Sequence, residues 1–438
     1  MSSQGKTFSK IIRYAPIAIL VFVALQYSLS AFTFRAQTGV VYWGLGSQAE
    51  AKAGGFRYLK DASIIAFGII WPFYIISISR YLGKTRFSLT SYFSWLAILF
   101  SFSFLPFFIN EGTEIAVAPG GIRWLLGLHA ALGTYLIFLH SPPSRVGENY
   151  ITHIITIILL MDIYFMSRQG DIFDLARARG VRLPGMFSVA GASGYFALAA
   201  GLVVYQFRTI STISKAFLIL LAIIVAFWSG TRFALIGLIM IVVTTLVVAS
   251  ARDSGKADRN RSIAMIISFS SLFAILPVAL YGMLEMTMRL GRGNPFDQST
   301  RGGRLWNLNQ AIDNISNSNI LEILFGRGLG TGTNSSVPLL AARGIDPNSV
   351  KWNILVDNTL LTAFFQFGLV SCCIFFLGII SALRVNILRR NFVVTIILIM
   401  GLFTQNILEQ VSLMIGFAVA YATTARTHAL KEAHYYPT

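Results

Sequence analysis

Apolar residues recur along this chain in long runs that are separated by short polar and basic segments. A helix needs about 20 apolar residues to cross the hydrocarbon core of a bilayer, so each run is a candidate transmembrane span. About 12 such runs are present, near residues 14–34, 62–79, 89–109, 122–140, 150–166, 187–207, 216–230, 232–250, 262–284, 357–382, 391–405 and 407–425. The last two can also form one kinked element, because only Gln405 and Asn406 interrupt them.

Basic residues in the short connections indicate the orientation of the spans, because such loops stay on the cytoplasmic side. With every span counted, these connections and both termini fall on one side. The opposite side receives the longer segments 35–61, 167–186 and 285–356. The sequence therefore predicts an all-α polytopic membrane protein, with one integral membrane domain over residues 1–438, a short arginine-rich external loop at 167–186 and a long one at 285–356.

The long external loop has a helical pattern of its own. Leu305, Leu308, Ile312 and Ile315 recur at i, i+3, i+7 and i+10 with polar residues between them, which predicts an amphipathic helix. This helix can lie on the membrane surface or cap the helical bundle. The glycine-rich stretch 326–332 then predicts a turn-rich connection. A phosphate-cradling loop is the alternative, but its Gly-Lys-Ser/Thr ending is absent.

Composition and charge narrow the class of protein. With 55% hydrophobic and 12% charged residues, the chain is neither an ordinary water-soluble enzyme nor a disordered protein. It nevertheless carries 35 Lys and Arg against 18 Asp and Glu, a net charge of +17. On the predicted topology the external side has 14 arginines and 3 lysines. Two external clusters stand out, Arg168, Arg177, Arg179 and Arg182 in one loop and Arg289, Arg292, Arg301 and Arg304 in the other.

These arginines have two interpretations. A guanidinium offers a planar fork suited to bidentate contacts with phosphate, whereas lysine serves simple solvation equally well. The alternative is that each arginine holds lipid headgroups or pairs with a nearby acid. Arg232 is a special case, because it separates two apolar runs almost without a loop. It either snorkels to the interface or points into a polar cavity at the outer rim.

Two acidic residues at membrane depth are further site candidates. Asp357 opens a span directly after the long external loop, and Glu409 lies in the last apolar region. Asp357 can instead be a helix N-cap, and Glu409 can instead pair structurally with an arginine such as Arg232. The histidines and cysteines lack the spacing of a zinc site, so neither a metal nor another cofactor is predicted.

Five stretches of this region resemble one family of membrane enzymes in order and topology. They are 182–187 (RLPGMF), 229–234 (SGTRFA), 303–306 (GRLW), 325–330 (FGRGLG) and 357–361 (DNTLL). They resemble the O-antigen ligase and O-antigen polymerase superfamily of membrane glycosyltransferases. Two details depart from its pattern, since the usual Pro-Asn after the first stretch is absent and Trp306 comes earlier than usual.

The resemblance implies a multi-pass protein of the bacterial inner membrane whose active site faces the periplasm. The expected partners are an undecaprenyl-diphosphate-linked glycan donor, a glycan acceptor, the lipid bilayer and a chain-length regulator, with no nucleic acid. Asp357-Asn358 is the pair found in many polymerases of O-antigen and exopolysaccharide, whereas ligases usually have histidine at the first position. Polymerisation is therefore favoured over the alternative, ligation of the glycan to lipid A-core.

The chemistry that the resemblance implies sets the expected roles of the residues. Charge grows on the departing diphosphate, and without a metal cluster arginines are the available means of stabilising it. The expected catalytic residues are Asp357, Arg304 and Arg182, the diphosphate-binding residues Arg182, Arg232, Arg301 and Arg304, and the supporting residues Asn358 and Glu409. Two other classes remain open, a lipid-linked oligosaccharide flippase or transporter and a non-catalytic subunit of an assembly complex.

Overall fold

The computed structural model describes residues 56–82, 89–110, 113–140, 145–168, 190–207, 209–253, 304–333, 336–341, 343–346, 358–383, 391–404 and 406–435. The regular elements in these ranges are all helices, with no strand among them. The predicted all-α class is therefore confirmed for the part of the chain that the structure describes. The predicted spans 14–34 and 262–284 lie outside the described residues, as do Arg182, Arg301 and Asp357.

Helices occur at each of the other predicted spans. The α-helices of the described residues, three of which (α9 to α11) lie in the segment predicted as the long external loop, are α1 (Phe56–Leu82), α2 (Leu89–Phe104), α3 (Pro106–Ile109), α4 (Ala118–His140), α5 (Arg145–Arg168), α6 (Ala190–Gln206), α7 (Thr212–Trp228), α8 (Arg232–Asp253), α9 (Arg304–Ser316), α10 (Ile320–Phe325), α11 (Ser336–Ala341), α12 (Thr359–Leu383), α13 (Phe392–Thr404) and α14 (Val411–Tyr435). Two short 3-10 turns, Ile115–Val117 and Ile407–Glu409, precede α4 and α14.

Four of these segments are long and apolar enough to cross a bilayer: Thr90–Ile109, Ile115–His140, Arg145–Ser167 and Thr359–Gly378. Large apolar side chains also point outward, with Phe108 81% and Ile213 83% exposed. Outward apolar side chains are costly in water and favourable in lipid. The chain thus has the helical architecture of a membrane protein.

The chain divides into two compact units. In the first unit α6 packs against α5, α7 and α8, and its residues 193–204 are almost all buried. Small residues let the helices approach closely, since a Cβ added at Gly201 would lie 2.4 Å from Cδ2 of Leu238. The central position of α6 therefore depends on glycine at this contact.

In the second unit α12 packs against α2, α10 and α13. Its interior contains an aromatic cluster in which Trp124, Phe367 and Phe375 lie with ring centroids 5.4 to 5.8 Å apart. Such pairs contribute about 0.5–1.5 kcal/mol each beyond the area they bury. This cluster fixes α4 against α12.

The helix α12 is interrupted, although the sequence predicts one continuous span over 357–382. Gly368 has φ 62° and ψ −171°, which is not helical. Its backbone lies against Gly326, because a Cβ added at Gly368 would be 2.3 Å from the Gly326 nitrogen. The span is therefore two helical pieces joined at a glycine that the pattern of apolar residues does not reveal.

The last apolar region is also divided. The sequence leaves open one kinked element or two spans, and α13 and α14 are separate helices on either side of the turn Ile407–Glu409. The backbone of this turn approaches α4 closely, since a Cβ added at Gly127 would lie 2.1 Å from the carbonyl oxygen of Leu408. The break at Asn406 is thus part of the packing of the second unit.

The predicted amphipathic helix is present as α9. One side of it faces the protein, where Ala311 and Phe365 form a small core with Ile315 packed against it. Two members of the predicted apolar stripe, Leu308 and Ile312, are instead exposed. The periodicity therefore predicts the helix correctly, but only part of its apolar band meets the rest of the chain.

Candidate functional site

The beginning of α12 is organised by Asn358. Its side-chain Oδ1 accepts hydrogen bonds from the backbone N–H of Leu360 (2.9 Å) and of Leu361 (3.1 Å). These N–H groups lack partners within the helix, so Asn358 is the N-cap of α12. Its Nδ2 donates to the carbonyl oxygen of Phe403 at 2.8 Å. One side chain thus caps α12 and joins it to the end of α13.

This capping geometry bears on Asp357, whose neighbour is Asn358. The sequence leaves Asp357 with two roles, a catalytic carboxylate or the N-cap of the span. A helix has one N-cap residue, and in α12 that position belongs to Asn358. Asp357 itself lies outside the described residues, so both of its roles stay predictions.

A second bond ties the same helix end to the turn that carries Glu409. The backbone N–H of Ile407 donates to Thr359 Oγ1 at 3.0 Å, and both residues are fully buried. The first residues of α12 and the 407–409 turn therefore lie side by side. The sequence-predicted residues Asn358 and Glu409, which are far apart along the chain, belong to one region of the second unit.

A buried indole holds Glu409 through an asparagine. Trp124, which has no exposed surface, donates from Nε1 to Oδ1 of Asn406 at 2.6 Å. Asn406 in turn donates from Nδ2 to Oε1 of Glu409 at 3.0 Å. The Glu409 side chain is half-buried. The Asn406 amide therefore helps to orient this carboxylate, which keeps part of its surface accessible beside the start of α12.

The glycine-rich stretch after α10 is a packed connection. Gly326, Gly328, Gly330 and Gly332 all have positive φ, between 75° and 97°, and residues 326–333 are all buried. Its backbone donors are engaged by neighbouring helices, since the Arg327 N–H donates to Phe365 O (2.8 Å) and the Gly330 N–H to Gln366 Oε1 (2.9 Å). These bonds support the turn-rich connection rather than a phosphate-cradling loop.

The glycine-rich connection also supplies a hydrogen bond to α12 near its interruption. In an unbroken helix the Phe365 carbonyl would accept a bond from the residue four positions later. The break at Gly368 disturbs that ladder, and the Arg327 N–H bonds to the Phe365 carbonyl from outside the helix. A buried carbonyl without a partner costs about 1–3 kcal/mol. The glycine-rich connection and the broken helix therefore stabilise each other.

A buried ion pair is the main feature of this region that the sequence analysis missed. Arg327 and Glu322 are joined by a contact of 2.8 Å, with side-chain exposures of 1% and 4%. Burial lowers the pKa of the Arg327 guanidinium, and the Glu322 carboxylate opposes this shift. Asn319 and Glu322 also form a capping box at the start of α10. The Asn-x-x-Glu spacing is a sequence signal for that box.

In the first unit, Arg232 follows a tight turn between α7 and α8. Gly230 has φ 64°, and the Ser229 hydroxyl donates to Thr231 Oγ1 at 2.9 Å in a buried position. A Cβ added at Gly194 of α6 would lie 2.3 Å from Cβ of Thr231. The turn is therefore rigid, and it presents Arg232 half-buried at the first residue of α8.

Asp162, which the sequence analysis left out of the site, belongs to the same unit. It has no exposed surface, and its Oδ1 accepts a hydrogen bond from the Ser193 hydroxyl at 3.3 Å. Ser193 precedes the glycine of α6 that contacts the Arg232 turn. A buried carboxylate in an apolar helix is a functional candidate by default.

Comparison with known proteins adds no relative. No family model matches this chain, and no curated protein matches it. The resemblance to the O-antigen ligase and polymerase superfamily is a resemblance of sequence motifs.

The structure describes only some of the residues that are predicted to bind the diphosphate. Arg304 begins α9 in the second unit, while its side chain lies outside the described part of the structure. Arg182 and Arg301 are outside the described residues altogether. Among the residues that the structure describes, no group of three or more metal-binding side chains is found. Of the predicted set, Asn358 and Glu409 lie on segments joined by the bond from Ile407 to Thr359, and the roles of all the predicted residues stay predictions.

Proposed function

We propose that this protein polymerises undecaprenyl-diphosphate-linked oligosaccharide units at the periplasmic face of a bacterial inner membrane. In this proposal the chain has about 12 spans, with both termini in the cytoplasm and the segments 167–186 and 285–356 in the periplasm. The observation that carries the proposal is the capped start of α12, where Asn358 bonds to the end of α13 and Thr359 bonds to the turn of Glu409. The Asp-Asn motif of the resembled polymerases lies at that point.

The reaction is transfer of a growing glycan to the hydroxyl of an incoming sugar. The hydroxyl oxygen attacks the anomeric carbon, the bond from that carbon to the diphosphate oxygen breaks, and the diphosphate leaves with the electron pair. Asp357 takes the proton of the attacking hydroxyl. Direct attack of this kind inverts the configuration at the anomeric carbon, which linkage analysis of product against donor tests.

Arginines are assigned to the leaving group. The diphosphate gains negative charge as the bond breaks, and fixed cations in a water-poor site stabilise that charge. Arg182 and Arg304 bind the diphosphate, with Arg232 and Arg301 assisting. The half-buried position of Arg232 at the first residue of α8 supports its part in this assignment, because a cation acts more strongly on a developing charge where water is partly excluded.

A flippase for lipid-linked oligosaccharides is the second candidate, and one observation favours it. Transporters commonly contain interrupted helices, and α12 is interrupted at Gly368. The carbonyl of Phe365 beside this break is bonded to the buried connection after α10. Because the broken part of α12 is bonded to a buried connection, we interpret the break as a static support for the site. A flippase would instead require this break to move.

Purified protein in liposomes, supplied with lipid-linked repeat units, separates the candidate functions. We expect chain growth, seen as a ladder of glycans on the lipid carrier. Transfer to added lipid A-core without a ladder indicates a ligase. Movement of the donor across the bilayer without new glycosidic bonds indicates a flippase. The absence of both glycan transfer and donor movement indicates a non-catalytic subunit. Each of these three outcomes contradicts the proposed polymerase.

The substitution Arg304→Lys tests the proposed diphosphate contact. Lysine keeps the charge but loses the bidentate fork. We therefore expect chain growth to be about 10- to 100-fold slower, which corresponds to the loss of one or two charge-assisted hydrogen bonds. Arg343→Lys is the matched control, because Arg343 is exposed in the same external segment. Wild-type glycan length and rate in Arg304→Lys would rule out the assigned role.

A further inference from the structure

The helices α9 and α10 carry large apolar side chains on their outer surface. Leu308 and Ile312 of α9 are 39% and 51% exposed, and Ile320 and Leu321 of α10 are 66% and 44% exposed. Single exposed apolar residues are normal on soluble proteins, whereas a close series of them marks an interaction surface. We refer to these four residues as the α9–α10 apolar surface.

The polarity of α10 is inverted relative to a helix in water. Glu322 is buried and ion-paired with Arg327, which is buried as well. Its neighbours Ile320 and Leu321 point outward. In water the stable arrangement is the reverse, because exposing a carboxylate costs nothing while burying an ion pair carries a desolvation penalty. An apolar environment outside the helix explains why the charge is inside.

The packing of α9 divides its apolar band between protein and surroundings. Ala311 and Ile315 face the core with Phe365 of α12, while Leu308 and Ile312 adjoin them on the same side of the helix at i, i+3 and i+4 spacings. The other side is polar and includes the exposed Asp313. The helix therefore has three environments: protein, water and a third that accepts apolar side chains.

That third environment continues from the membrane-spanning helices. Phe325 at the end of α10 stacks on Phe102 of α2, with ring centroids 6.3 Å apart. Both α2 and α12, to which α9 and α10 are attached, belong to segments long enough to cross a bilayer. Phe108 in α3, which follows α2 and contacts α10, is 81% exposed. The α9–α10 apolar surface is thus attached to helices that are long and apolar enough to cross a bilayer.

We propose that α9 and α10 lie in the membrane–water interface, with Leu308, Ile312, Ile320 and Leu321 inserted among lipid acyl chains. The polar side of α9 then faces water, as in an interfacial amphipathic helix. The occupant of this surface is the bilayer itself. The inference is independent of glycosyl transfer, since it rests on exposure and charge placement alone.

Depth-dependent fluorescence quenching tests the placement. Cys372 and Cys373 are replaced by alanine, and single cysteines are then labelled with a small fluorophore in liposomes that contain phospholipids with nitroxide-labelled acyl chains. The test positions are Leu308, Ile312 and Ile320. The matched controls are the exposed residues Asp313, on the polar side of α9, and Asn317, directly after that helix.

We expect several-fold stronger lipid quenching at the test positions than at the controls, and the opposite order with iodide in the aqueous phase. Equal quenching at Ile312 and Asp313 overturns the inference. Protection of the test positions from both quenchers also overturns it, because a protein partner or a second copy would then cover the surface. Size-exclusion profiles confirm that each variant is folded, and glycosyl transfer does not enter the readout.

Discussion

Replacing Gly330 with alanine is expected to prevent folding of the second unit. An added Cβ would lie 1.8 Å from the carbonyl oxygen of Val117 and 2.5 Å from its carbon, and the φ of +97° is one that L-residues rarely adopt. The clash is with backbone, which cannot rotate away. We expect a loss of stability above about 4 kcal/mol, in the range of the most damaging single substitutions. The recovery and melting temperature of detergent-solubilised protein measure it.

The matched control is Gly344→Ala. Gly344 also has a positive φ, +72°, but no atom lies within 4 Å of an added Cβ. Only the backbone strain remains there, which costs about 1–2 kcal/mol. The difference between the two variants isolates the steric contribution of the packed glycine-rich connection. Similar melting temperatures for both variants would show that the connection is not packed against the turn before α4.

The packing of the glycine-rich connection, which Gly330→Ala would disrupt, is only partly predictable from the sequence. Four alternate glycines predict a turn-rich connection, because they supply positive φ at little cost. The sequence does not show that the connection meets a broken helix, since Gly368 lies in an apolar run that reads as one span. Backbone bonds such as that from Arg327 to Phe365 join distant segments and leave no local pattern.

The amphipathic helix α9 illustrates a second limit. A spacing of three and four residues predicts the helix because those positions share one face. The same spacing does not say what the face touches, because protein interior and lipid both accept leucine and isoleucine. Ala311, which the pattern does not mark, is fully buried, whereas Ile312 is half exposed. The sequence therefore predicts the helix α9. Which of its apolar side chains contact protein depends on the neighbouring helices, and the periodicity does not show this.

The candidate site shows the same division. An acid and an amide at the start of an apolar run predict either a cap or a functional group, and the structure gives the cap to Asn358. Glu409 was visible as an acid in an apolar region. Its fixation by Trp124 through Asn406 was not, because the indole and the amide are 282 residues apart. A polar residue at a helix end is recognisable from its neighbours in the sequence. The distant side chains that orient it are not.

The substitution Asp357→Asn is expected to reduce chain growth by about 10²- to 10⁴-fold, the usual contribution of a general base. Asparagine is nearly the same size but cannot accept the proton of the acceptor hydroxyl. Asp313→Asn makes the same chemical change at an exposed position of α9 and is expected to leave the rate unchanged. Single-turnover extension of a defined lipid-linked glycan measures both rates.

Glu409→Gln distinguishes the base from its neighbour. Glutamine keeps an oxygen that accepts the Asn406 bond, so the turn at 407–409 stays in place. We expect a smaller loss than in Asp357→Asn, because the remaining effect is that of one charge near the start of α12. If Glu409→Gln abolishes extension while Asp357→Asn retains it, the base is Glu409. In that case the tryptophan and asparagine that orient Glu409 would position the reacting carboxylate directly.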